Sequence, residues 1–138
     1  MPVMESLQRA LEPLFPGLMG IKLIEVGPEK VVASLVVRPD LCTTYKSIHG
    51  GALMAFADTL GAIGTFVNLP KGAGTTTIES KTNFIGAAAE GTTIIGESTP
   101  FHRGRTTMVW QTQIRTEAGK LCAVVSQTQL VLLPKDAG

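Results

Sequence analysis

Apolar residues alternate with polar or smaller ones over residues 30–37, where Val31, Ala33, Leu35 and Val37 oppose Val32, Ser34, Val36 and Arg38. That is the period of a strand. A second strand is predicted at 21–26, joined to the first at Gly27-Pro28. Residues 6–14 read as one short amphipathic helix stopped by Pro13, Pro16 and Gly17. After a polar connection, 39–48, the period changes. Leu53, Phe56, Leu60, Ile63 and Val67 recur at spacings of three and four, which predicts a long helix from His49 ended by Asn68, Pro70 and Gly72. Four more strand-like runs follow, at 75–84, 91–100, 105–115 and 121–133. The third sets Met108, Trp110 and Ile114 against Thr107, Gln111, Gln113 and Arg115, and Glu117-Ala118-Gly119 turns into the fourth. The order β-β-α-β-β-β-β predicts a single α+β domain with a mostly antiparallel sheet packed on its helix.

The helix is sorted by size. Its bulky stripe belongs against the sheet. Asp58 points about 160° from Phe56 and Leu60, at about 100° per residue. Its face carries the small residues Gly51, Ala55, Gly61, Ala62 and Thr65, which leave room for a second backbone or a thin ligand. An ionised carboxylate among apolar neighbours is costly unless paired or used. His49-Gly50-Gly51 gives the same helix a bare N-terminus with unpaired N–H donors. An acid and a polarising helix end together point to acyl chemistry; packing of the small face on a second helix, with Asp58 at a wet edge, is the plain alternative. Gly50 precedes Asp58 by eight residues, about 12 Å along a helix axis. One carbonyl cannot touch both in one chain. The motif therefore predicts a homodimer in which each helix start meets the partner's Asp58.

Composition narrows the class. The chain has 138 residues, 12 Lys and Arg against 11 Asp and Glu, and a net charge of +1. Nothing in that balance favours nucleic acid or an acidic membrane surface. The apolar stretch 48–69 holds a central Asp and interior glycines and lacks flanking cations, so it reads as a core helix rather than a membrane span. The first residues carry no apolar signal-peptide core. Cys42 and Cys122 are not spaced as a metal pair, and read as buried reduced thiols of a cytoplasmic protein. Arg103-Gly104-Arg105 is read either as a charged hairpin turn or as a grip on phosphate groups. His102 and Glu79 are assigned to the surface, and Tyr45 to a loop able to cover a site. No Gly-rich phosphate loop, metal-ligand cluster or Ser-His-Asp order is present.

His49-Gly50-Gly51 followed by Asp58 on an apolar helix resembles the hotdog-fold thioesterases, and among them the phenylacetate-degradation (PaaI-like) branch. Asn83-Phe84 in the next strand and Gly104-Arg105 at a later one support the resemblance, which spans residues 20–133. It implies a curved antiparallel sheet around a long central helix, and a homodimer or homotetramer. It also implies hydrolysis of acyl-CoA thioesters with no metal and no cofactor. Asp58 would attack the thioester or activate water. The Gly50 N–H would hold the thioester oxygen, His49 would orient that carbonyl or the helix start, and Thr77 would help place water. Gly51, Thr43, Thr44, Asn83, Arg103, Gly104 and Arg105 would line the substrate and coenzyme A. The family often has Asn six residues before its His and Gly three before it; here Thr43 and Lys46 stand there. A hotdog hydratase or dehydratase and a non-catalytic acyl-CoA sensor are the competing readings.

Overall fold

The computed structural model describes residues 2–134; the ends of the expected 1–138 domain, residue 1 and residues 135–138, lie outside the described residues. The alternating runs form six strands: β1 (Lys22–Gly27), β2 (Lys30–Val36), β3 (Gly74–Phe84), β4 (Thr93–Arg103), β5 (Thr107–Thr116) and β6 (Leu121–Leu132). Every pairing is antiparallel, in the order β1-β2-β4-β5-β6-β3. The expected long helix is α3 (Gly50–Phe66), and it touches all six strands. A flat sheet that wide cannot lie within reach of one helix, so the sheet curves around it.

The bulky stripe packs as its spacing requires. Leu53, Phe56, Leu60 and Ile63 are buried, and Val67, the C-cap, is half-buried. Each such buried side chain is worth about 1.5–3 kcal/mol. Two glycines set the approach distance. A Cβ on Gly96 of β4 would lie 3.0 Å from Leu60 and 3.1 Å from Phe56, and one on Gly64 would lie 2.6 Å from the Trp110 ring. The strand faces also follow their alternation: Met108, Trp110, Thr112 and Ile114 of β5 are buried, and Gln111 and Gln113 are not.

Three local expectations are corrected. The leading segment is two helices, α1 (Val3–Leu11) and α2 (Phe15–Met19). Pro16 opens α2 instead of stopping a helix, because a first-turn residue needs no N–H donor. The fourth strand runs past Pro100 to Arg103, with a register shift between Pro100 and His102 that accommodates the missing donor. Arg103 is therefore a strand residue, while Gly104 and Arg105 form the turn before β5 begins at Thr107.

The sheet's two edges are treated differently. On β1 the Gln8 side chain of α1 donates to the Ile21 carbonyl (3.1 Å) and accepts from the Leu23 N–H (2.8 Å), taking the place of a neighbouring strand. The other edge, β3, is 11 residues long and has no strand on its outer side among the described residues. Ile78, at a bulge between Thr77 and Glu79, and Phe84 are more than half exposed along it. No helix is long and apolar enough to cross a membrane among the described residues.

Candidate active site

The site is built around Asp58, which α3 presents half-buried toward β3 and β6. Thr77 of β3 donates its hydroxyl proton to Asp58 Oδ1 at 2.6 Å. Gln127 of β6 donates from Nε2 to the same Oδ1 at 3.2 Å and to the Asp58 backbone carbonyl at 3.3 Å. Behind Thr77, Gln129 donates from Nε2 to the Thr77 oxygen at 2.6 Å and accepts from the Thr75 hydroxyl at 2.9 Å. Oδ1 thus holds two donors, whereas no hydrogen-bond partner among the described residues reaches Oδ2.

The family resemblance gives Thr77 the task of placing water; the structure sets its hydroxyl against the Asp58 carboxylate. The sequence does not point to Gln127 or Gln129, both fully buried. The available signal was strand parity: Ala123, Val125, Gln127, Gln129 and Val131 share one face of β6, so two amides lie on the core side of an otherwise apolar strand. The small helix face is also corrected. A Cβ on Gly61 would stand 2.3 Å from Cδ of Gln127, so that glycine admits the sheet's own amide rather than an incoming ligand.

At the start of α3, His49 is the N-cap. Its Nδ1 accepts the Gly51 N–H at 2.8 Å. The Gly51 donor is therefore spent on the cap. The Gly50 N–H has no acceptor among the described residues. The phenyl ring of Phe84 lies where a Gly50 Cβ would come within 3.0 Å of it. Beside this helix end a cavity of about 450 Å³ is walled by Phe15, Leu18, Leu41, Cys42, His49 and Ala52. Arg38 holds its outer wall, donating to the carbonyls of Leu18 and Met19 and pairing with Asp40.

Thr43 and Lys46 close a tight turn. The Thr43 N–H donates to the Ser47 carbonyl at 2.8 Å, and the Thr43 hydroxyl accepts the Tyr45 N–H at 3.2 Å. Lys46 has φ +58°, the left-handed conformation that glycine adopts freely. The loop thus takes at Lys46 a bend that a glycine would adopt without strain. Thr44 is exposed, and Tyr45 projects into solvent at 89% exposure instead of covering the site. Asn83 is exposed on β3. His102 and Glu79 are exposed, as expected.

Arg103 is committed elsewhere: it donates to the Pro28 carbonyl at 3.1 Å and lies 3.7 Å from Glu29. With Gly104, Arg105, Asn68 and Pro70 it borders a second cavity of about 450 Å³ at the far end of α3. Cys122 is buried but Cys42 only half-buried, which corrects the expectation for the latter. Burial pushes both thiols above the usual cysteine range; Glu90 and Asp40 add to the effect at Cys42, and Lys120 opposes it at Cys122. Both thiols are thereby poor nucleophiles at neutral pH.

Comparison with known proteins gives the family. The family model of the thioesterase superfamily matches residues 45–123, which include the helix start, Asp58 and Thr77. The 1,4-dihydroxy-2-naphthoyl-CoA hydrolase of Escherichia coli is 26% identical over 129 residues, 94% of each chain. A thioesterase of Haemophilus influenzae superposes with a TM-score of 0.89 at 26% identity, covering 96% of this chain and 92% of that one. The PaaI protein of the E. coli phenylacetic acid degradation operon shares the fold, with a TM-score of 0.84 at 20% identity and coverage of 95% and 94%. The chain belongs to the thioesterase superfamily; it has the hotdog fold and is a thioester hydrolase.

Proposed function

We propose that the protein hydrolyses acyl-CoA thioesters at sites shared by two copies of the chain. The observation that carries this reading is the arrangement at Asp58: one carboxylate oxygen is fixed by Thr77 and Gln127, and the other has no partner among the described residues. A half-buried acid held in that way is oriented, not merely tolerated. In this reading Oδ2 takes the proton of an attacking water or attacks the carbonyl itself. The Gly50 N–H, at the positive end of α3, stabilises the oxyanion that forms as the carbonyl is attacked. The C–S bond then breaks and coenzyme A leaves as its thiol, taking the proton that water gives up; where Oδ2 is the nucleophile, water next hydrolyses the acyl anhydride formed on Asp58 and releases the carboxylic acid.

Two copies are needed because Gly50 and Asp58 stand about 12 Å apart on one helix. The open β3 edge, with Ile78 and Phe84 exposed and Asp58 facing that side, supports pairing there, whereas the β1 edge is closed by Gln8. An acyl group entering beside the helix start meets apolar walls from Phe15, Leu18, Leu41 and Ala52. The E. coli relative acts on an aromatic acyl-CoA, and that class heads the substrates to try. Arg105, at the turn after β4, is the group left to meet coenzyme A phosphates, since Arg103 is engaged with Pro28 and Glu29 and the Gly104 N–H donates to the Thr107 carbonyl at 2.9 Å.

Thiol release from a panel of acyl-CoAs tests the reading. The panel spans short, medium and long chains with phenylacetyl and hydroxybenzoyl thioesters, and compares wild type with Asp58→Asn. Turnover that disappears in the mutant is the expected result. A wild type silent toward every thioester, while still binding them, would favour a non-catalytic sensor.

A further inference from the structure

Gln127 is difficult to explain as filler. It is fully buried, and the only hydrogen bonds of its side chain among the described residues run to Asp58, one to the carboxylate and one to the backbone carbonyl. Its own Oε1 is buried with no partner. A buried, half-satisfied amide is unfavourable, and an apolar side chain of the same volume would pack there at lower cost. The helix concedes a second cost to the same side chain, since Gly61 gives up a Cβ in mid-helix to make room for it.

Gln129 has a related place. Thr77 has one proton to give. Its contact with the Asp58 carboxylate, at 2.6 Å, requires that the proton go there. The other neighbour of the Thr77 oxygen must then be a donor, and Nε2 of Gln129 supplies it at 2.6 Å. Were the Gln129 amide reversed, its carbonyl would take that proton and leave two oxygens facing each other across the Thr77–Asp58 contact. The donors therefore run in one direction, from Thr75 through Gln129 and Thr77 to Asp58.

We infer that Gln127 and Gln129 are positioning residues for thioester hydrolysis: together they pin Oδ1 of Asp58 so that Oδ2 is held toward the reacting carbonyl. The inference rests on the reading of Asp58 as the reacting acid. Gln127 acts on the carboxylate directly; Gln129 acts only through Thr77, by fixing which way its hydroxyl points.

The test uses the full chain and the acyl-CoA that wild type hydrolyses best. Gln127→Met and Gln129→Met replace each amide with an unbranched side chain of similar length. Loss of the Gln127 bond to the carboxylate predicts a fall in kcat of about tenfold to a hundredfold, and loss of the neutral Gln129 bond to Thr77 a fall of about twofold to tenfold. KM is expected to stay within about twofold, because substrate contacts are untouched. Tm should stay at or above the wild-type value, which separates positioning from a structural role. Folded variants with wild-type kcat would overturn the inference, as would a loss that appears in KM or Tm alone. If Gln127→Met does not fold, Gln129→Met decides, since it is one residue further from the acid. Asp58→Asn is assayed alongside: activity surviving in that variant refutes the reading of the site itself, whereas activity lost there but retained in both glutamine variants refutes only the positioning role.

Discussion

Gly50 and His49 divide one helix end between them. His49 caps the Gly51 donor and leaves the Gly50 N–H to a ligand. Position 50 is the first helical residue, where proline is well accommodated, and His49 already has the extended backbone that precedes proline (φ −67°, ψ 138°). Gly50→Pro therefore deletes a single N–H with α3 intact. We expect kcat to fall about 10²–10³-fold, with far-ultraviolet circular dichroism and Tm close to wild type; the side chain displaced is Phe84, exposed and able to move. Unchanged kcat would remove Gly50 from the site. Lys46 gives a prediction of the opposite sign. Its φ of +58° carries the left-handed penalty of a residue with a Cβ, about 1–2 kcal/mol, part of which glycine's greater unfolded-state entropy takes back. Lys46→Gly should stabilise the protein by up to about 1 kcal/mol, read as a higher midpoint in urea.

At the scale of elements, what could be read from the sequence depended on whether one physical signal decided the outcome. The bulky stripe of α3 and the alternation of β2 and β5 were legible because burial of one face dictates both patterns. The α2 helix was hidden because a proline reads as a stop, and it opens a helix only when the residues before it do not continue one. The end of β4 was hidden because Pro100 cannot donate, and only the register shift before His102 lets pairing go on. The same limit applied to the site. Asp58 was conspicuous as an isolated charge, and Gly50 as part of His49-Gly50-Gly51. Gln127 and Gln129 lie in the unbroken polar run Ser126-Gln127-Thr128-Gln129, which marks neither face as buried; they are on the core face because β6 lies between β5 and β3 beneath α3. Gly61 looked like space for a ligand because nothing in one sequence says which side chain of the sheet will fill it.

For the whole molecule, the two sheet edges bear on assembly. Gln8 satisfies the outward backbone groups next to β1, and the outer groups of β3 remain without a strand. An exposed edge of 11 residues with apolar side chains is a natural place for a second copy. In the proposed dimer Asp58, held toward β3 by Thr77, would face the interface, and the Gly50 N–H of the other chain would complete the oxyanion site. The central claim is that one thioester is served by two chains, and mixing subunits tests it most directly. Asp58→Ala chains and Gly50→Pro chains are inactive alone in this account. After exchange, confirmed by co-purification of differently tagged chains, a heterodimer has one site with both groups intact and one with neither. A one-to-one mixture should recover roughly a quarter of wild-type activity, since half the dimers are mixed and each has one working site. No recovery despite proven exchange would contradict the shared site and return both groups to a single chain.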